Sequence, residues 1–130
     1  MSEPLNHEGV DRQILRDLLQ RWQSGAVSEK DVHEAAERMF EAFPDGPPVH
    51  PRADPRSIPI EALSQLEILD VQLITRDDVG AFLEFLGTQE GHEKEAWERW
   101  TEYWRQIDFD QRLRDLAGNS YYAKGAGHGE

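Results

Sequence analysis

Five histidines, 26 carboxylates and four tryptophans are the side chains here whose types could support chemistry or recognition. His33 and Glu37 stand four apart, and His92 and Glu95 three apart, so each pair falls on one face of a helix. Two such pairs on neighbouring helices can converge on a metal ion or supply an acid and a base. Helical carboxylate metal bundles repeat Glu-x-x-His with further inward Glu residues, and neither the order nor the number here follows that pattern. His7 and His128 lie toward the ends and His50 falls in a proline-rich stretch, which leaves no readable triad. Ser24, Ser28, Ser57, Ser64 and Ser120 lack a nucleophile-elbow context, and no HExxH, phosphate loop or dinucleotide fingerprint occurs. The expected reading is non-catalytic, with no catalytic, cofactor or metal residue assigned. The alternative from another class is a metal-assisted or acid/base enzyme using His33 or His92 with nearby carboxylates.

Trp97, Trp100 and Trp104 follow at steps of three and four, a spacing that a packed helix face explains. An outward-facing member would serve as an interface anchor, because tryptophan combines large area with few rotatable bonds. A helical adaptor or self-associating domain using that aromatic face is a second alternative, with a homo-oligomer as its consequence.

Charge limits the partners. With 14 basic residues against the 26 acidic ones the formal charge is -12, which repels phosphate backbones and anionic membrane surfaces, so direct nucleic-acid and membrane binding are not expected. The absence of cysteine rules out a disulfide framework and thiolate metal sites and fits a reducing compartment. The opening MSEPLNHEGV has no apolar run after basic residues, and no stretch approaches membrane-spanning length. A cytoplasmic location is therefore expected.

The elements that must position these residues are helical. From about Asp11 to Gln23, Ile14, Leu15, Leu18, Leu19 and Trp22 make one stripe. Gly25 stops that helix, Ser28 with Asp31 resembles a capping box, and a second helix from about Glu29 to Phe43 carries Val32, Ala36, Met39 and Phe40, forming an antiparallel hairpin with the first. Residues 44–57 hold five of the seven prolines and read as an extended surface connection. A third helix starts near Pro59, with Ser57 as a cap, and its apolar pattern continues to Ile74. Thr75 with Asp78 resembles another capping box before a short helix ending near Gly87, in which Gly80 either weakens the helix or permits close packing. After Gly91 comes the tryptophan helix, and Asp108 caps a short sixth helix with Phe109, Leu113 and Leu116 inward. The glycine-rich end, residues 118–130, reads as a flexible tail in which Tyr121 and Tyr122 can dock back. The expected fold is an all-α, single-domain bundle of about five helices with a short sixth, and Leu19, Trp22, Phe40, Leu66, Phe82, Trp100 and Leu113 in its core.

Acidic residues are unevenly spread. Between Pro59 and Glu90 stand seven of them, Glu61, Glu67, Asp70, Asp77, Asp78, Glu84 and Glu90, against the single base Arg76. Such a field steers a basic protein and raises its encounter rate. Glu61, Glu67, Asp70, Asp77, Asp78 and Glu84 are accordingly the candidate partner-binding residues, although solubility alone would also account for carboxylates that do not share a face.

The segment LLQRWQSGAVSEKDVHEAAERMF, Leu18 to Phe40, resembles the opening hairpin of small helical bacterial immunity proteins of the colicin D immunity-like type. The elements that carry the resemblance are the helix ending in Trp22, the turn Ser24-Gly25-Ala26-Val27-Ser28 and the helix ending in an aromatic residue. The resemblance implies an inhibitor that binds and blocks a cognate toxin nuclease with a basic cleft. It covers about a third of the chain and transfers no individual binding residue; the proline connection and the Trp-rich helix depart from it.

Overall fold

The computed structural model describes residues 10–119, 121 and 122. Each early helix begins where a side chain replaces the missing amide partner. Asp11 Oδ1 accepts from the amides of Gln13 and Ile14 at 2.8 and 3.4 Å, opening α1 (Arg12–Gln23). Gly25, at φ 88°, takes the left-handed turn that L side chains resist. Ser28 and Asp31 then close the reciprocal capping box of α2 (Glu29–Glu41) at 3.2 and 3.0 Å. These bonds, the backbone one first, hold the Asp31 carboxyl below its ordinary range.

The proline connection is an ordered series of turns. Asp54 accepts from the Arg56 amide at 2.8 Å and from its guanidinium at 2.7 and 3.1 Å, which holds its carboxyl far below the usual range. Helix α3 (Ser57–Glu67) begins two residues before Pro59, which occupies the first turn, where its missing amide costs nothing. Ser57 is not the cap that the sequence suggested. It is the first helical residue, is buried, and spends its hydroxyl on Arg52 and Trp97.

The apolar run to Ile74 does not continue α3. The helix ends at Glu67, and residues 68–73 make further turns closed by bonds from the Leu73 amide to Asp70 O and from Ile74 to Leu69 O. That pairing is a Schellman arrangement with Leu73 in the left-handed position, φ 55°, where glycine is usual. The conformation costs a leucine about 1–2 kcal/mol. Burial of its side chain, together with Arg112 Nη1 donating to its carbonyl at 3.1 Å, offsets the strain. Val71, in the same turn, is 70% exposed.

A single 3-10 turn, Arg76–Asp78, leads into α4 (Val79–Leu86); α5 (Glu93–Arg105) and α6 (Phe109–Asp115) follow, and Asp108 caps α6 by accepting from the Gln111 amide at 3.0 Å. The fold is thus an all-α bundle of six helices among the described residues. Helices α1 and α2 touch one another less than expected for a hairpin: α2 packs chiefly on α3, α1 on α4, and the contact of α3 with α4 joins the two pairs. Arg12 reinforces the α1–α4 pair by donating to Leu86 O, Thr88 O and Pro55 O at 2.8–2.9 Å. A cation thereby meets the carbonyls at the end of α4, and burial lowers the guanidinium pKa.

Leu15, Leu19, Trp22, Val32, Ile58, Leu63, Leu66, Leu69, Ile74, Val79, Phe82 and Leu86 form the centre of the core. Of the expected core residues, Phe40 is only partly buried and Leu113 is 44% exposed, because α6 presents Phe109 and Leu116 to the bundle instead. Ile14, at the edge of the α1 stripe, is likewise exposed. Tyr122 is buried and its hydroxyl donates to Ile74 O, so the start of the expected tail is docked; residues 123–130 lie outside the described residues.

Leu66→Ala is expected to cost about 2–5 kcal/mol and Leu113→Ala about 0.5 kcal/mol or less, measured by urea unfolding. Gly80 is exposed and nothing lies within 4 Å of a Cβ added to it, so close packing does not require it. Gly80→Ala is therefore expected to raise stability by about 0.5–1 kcal/mol in the same measurement.

Candidate functional site

The tryptophan helix packs one indole after another on α3 and α4. Phe85 stacks on Trp100 with ring centroids 4.2 Å apart and meets Trp97 edge-on at 5.2 Å, while Phe82 meets Trp100 edge-on at 5.0 Å. Trp97 and Trp100 are buried, so their indole N–H groups need acceptors. Helix α3 supplies both: Trp97 Nε1 donates to Ser57 Oγ and Trp100 Nε1 to Glu61 Oε2, each at 3.0 Å. Trp104, one turn further on, is only partly buried as a residue, yet its Nε1 is buried with no hydrogen-bond partner among the described residues.

At this end of the α3–α5 interface lies a cavity of about 280 Å³ lined by Glu61, Gln65, Trp97, Trp100, Trp104 and Phe109, with Arg52, Gln72 and Thr101 completing its wall. The Arg52 guanidinium sits over the Trp97 ring, 4.4 Å from its centroid. Its backbone is tied to α3 by the Ser57 hydroxyl, which donates to Arg52 O at 3.3 Å. An aromatic wall with a carboxylate at its edge suits a flat cation: the ring faces attract the charge and the carboxylate accepts its N–H groups.

The six candidate carboxylates have different fates. Glu61 is half-buried in this wall, with Gln65 Nε2 donating to the same oxygen, Oε2, as Trp100. Asp77 is exposed on the 3-10 turn, and Glu84 is exposed and paired with Arg99 at 3.3 Å. Glu67 is half-buried at the end of α3, where its main-chain carbonyl accepts from His33 Nε2 at 2.9 Å, and the Asp70 carboxylate stands 3.7 Å from the same nitrogen. Asp78 is fully buried and so cannot meet a partner at the surface. It accepts from the Thr75 amide and Arg112 Nη1 at 2.8 Å each, from Arg112 Nη2 at 3.2 Å and from the Tyr103 hydroxyl at 2.5 Å.

His33 is buried with Nε2 donating to a carbonyl, which leaves Nδ1 to accept from Tyr121. Glu37 lies 3.5 Å from Nε2, so the spacing of four expected from the sequence does bring the pair together. Burial and then the charges of Asp70, Glu37, Glu34 and Glu29 push the Tyr121 phenol up to about 12. His92 is exposed at the start of α5. Among the described residues no group of three or more His, Asp or Glu side chains is arranged to hold a metal ion. No family model matches the chain, and no curated protein or solved structure shows significant similarity to it.

Sequence reasoning gave Ser57 a different role and missed Arg52, Tyr103 and Arg112, because each acts on a residue distant in the chain. The one available signal was Trp spacing: a buried indole requires an acceptor, and α3 carries Ser57 and Glu61 four apart.

Asp78→Ala is expected to cost about 3–5 kcal/mol by leaving Arg112 unpaired in a largely buried position, read as a fall in the urea midpoint. Burial, then the bond to Asp78, raises the Tyr103 phenol from 10.0 to about 12. Because the folded state holds this proton more tightly, the stabilisation is present below pH 10 and is lost as pH rises toward 12. Urea midpoints should therefore fall between these pH values, and Tyr103→Phe should flatten part of that slope.

Proposed function

We propose that this chain is a non-catalytic protein-binding module that captures a basic protein, and specifically a bacterial immunity protein that occludes the nucleic-acid cleft of a toxin nuclease in the cytoplasm. The observation that carries the reading is the aromatic wall of α5 with Glu61 at its edge, on which a guanidinium from the chain itself already rests. The formal charge of -12 supports it, since a nuclease cleft built to hold phosphates presents arginine and lysine to an acidic competitor. The half-buried Glu67 and Asp70 and the exposed Asp77 and Glu84 add long-range attraction, whereas Asp78 has a structural task. The hairpin resemblance from Leu18 to Phe40 favours the immunity reading over other binding roles.

The test is first whether a gene beside this chain's encodes a nuclease, and then whether the purified chain inhibits that nuclease. Stoichiometric loss of nuclease activity, with association slowing as salt rises, is the expected result. Neutralising Glu67, Asp70, Asp77 and Glu84 together should slow association about ten-fold at low salt and leave the helical circular dichroism intact. A nuclease that remains fully active in the presence of excess protein would reject the proposal.

A further inference from the structure

We infer that the groove between α3 and α5 is a socket for one arginine side chain of a basic protein, and that Arg52 of the proline-rich connection is an intramolecular occupant of its mouth that a partner arginine displaces. The inference rests on the binding reading above and assigns it a site.

Size argues for a side chain. The cavity of about 280 Å³ falls below the ~300–1,000 Å³ typical of small-molecule sites, and it pairs one aromatic wall with the carboxylate of Glu61. Two further cavities, of about 760 and 280 Å³, are also lined by Arg52 and Trp97. Arg52 therefore stands where three cavities meet, and moving its side chain exposes the face of Trp97 between them. Its main chain need not move, because the bond from Ser57 holds the carbonyl rather than the guanidinium.

Chemistry argues for arginine. The Trp97 face already carries a guanidinium at 4.4 Å, which demonstrates the fit for a planar cation. Both hydrogen bonds that Glu61 accepts from Gln65 and Trp100 go to Oε2, so Oε1 is not used by either and can accept from a second guanidinium. Trp104 also lines the cavity, and its buried Nε1 has no hydrogen-bond partner among the described residues, so its N–H signal reports on occupation of the socket. Lysine satisfies the charge but not the stacking, which sets the selectivity.

The probe is a hexa-arginine peptide, followed by tryptophan fluorescence and by the indole N–H resonances, with hexa-lysine as the comparison. Hexa-arginine should bind at least five-fold more tightly than hexa-lysine and should shift the Trp104 Nε1–H signal. Arg52→Ala should tighten hexa-arginine binding about three-fold, whereas Arg38→Ala, which removes the same charge from an exposed position on α2, should tighten it less. Glu61→Gln, which keeps an oxygen for Trp100, should weaken it about ten-fold, against little change for Glu41→Gln at an exposed position on α2. Equal binding of the two peptides, or equal effects of Arg52→Ala and Arg38→Ala, would show bulk charge at work and overturn the socket. Concentration-dependent dimerisation of Arg52→Ala would overturn it by making a second copy the occupant. If hexa-arginine behaves as expected while the nuclease is not inhibited, the socket stands and the immunity reading falls; if the nuclease is inhibited equally by wild type, Arg52→Ala and Glu61→Gln, the immunity reading stands and the socket falls.

Discussion

The carboxylate of Asp78 is the constraint on which the closed form of this bundle depends. A fully buried charge is costly unless every lone pair finds a donor. Here the donors come from the Thr75 amide beside it, from Tyr103 on α5 and from Arg112 on α6, so satisfying one oxygen pair fixes two distant helices against the start of α4. Arg112 extends the same network to Leu73 O, and Tyr122 caps the neighbouring Ile74 O. The strained turn after α3, the short α6 and the docked tyrosine are thus held by one set of polar bonds, although the apolar core supplies most of the burial.

The α3–α5 interface follows the same logic with neutral groups. Three indoles on one helix bury a large apolar area, but each brings an N–H that must be satisfied. Ser57 and Glu61 satisfy two of them, which places a hydroxyl and a carboxylate at an aromatic surface for structural reasons. The third indole N–H, on a residue that lines a cavity, has no partner among the described residues, and a cation from the adjoining connection rests on the first ring. Recognition chemistry and packing chemistry therefore share the same atoms, with Glu61 belonging to both.

Local physics was legible in the chain. Ser28 and Asp108 cap the helices that their positions announce, Gly25 turns where a left-handed residue is needed, and Leu15, Leu18, Leu19 and Trp22 face inward at helical spacing. These signals depend on neighbours within a few residues. The run from Ile68 to Ile74 misled because its composition suits a helix and the stop comes from elsewhere: a leucine accepts the left-handed turn only because the core and Arg112 hold it there. Leu113 and Ile14 misled for the related reason that a periodic stripe does not say which of its members another element will cover.

The carboxylates mark the boundary most clearly. The sequence by itself determined that the chain is strongly acidic, that it has about five helical segments with a short sixth and that three of its four tryptophans lie on one of them. Only the tertiary structure decided that Asp78 is an internal counterion, that Glu61 is an indole acceptor at the edge of a groove and that Asp70 borders a buried histidine. An aspartate reads the same in a sequence whether it faces water or Arg112, because desolvation and pairing arise from residues that only the folded chain brings within a few ångströms.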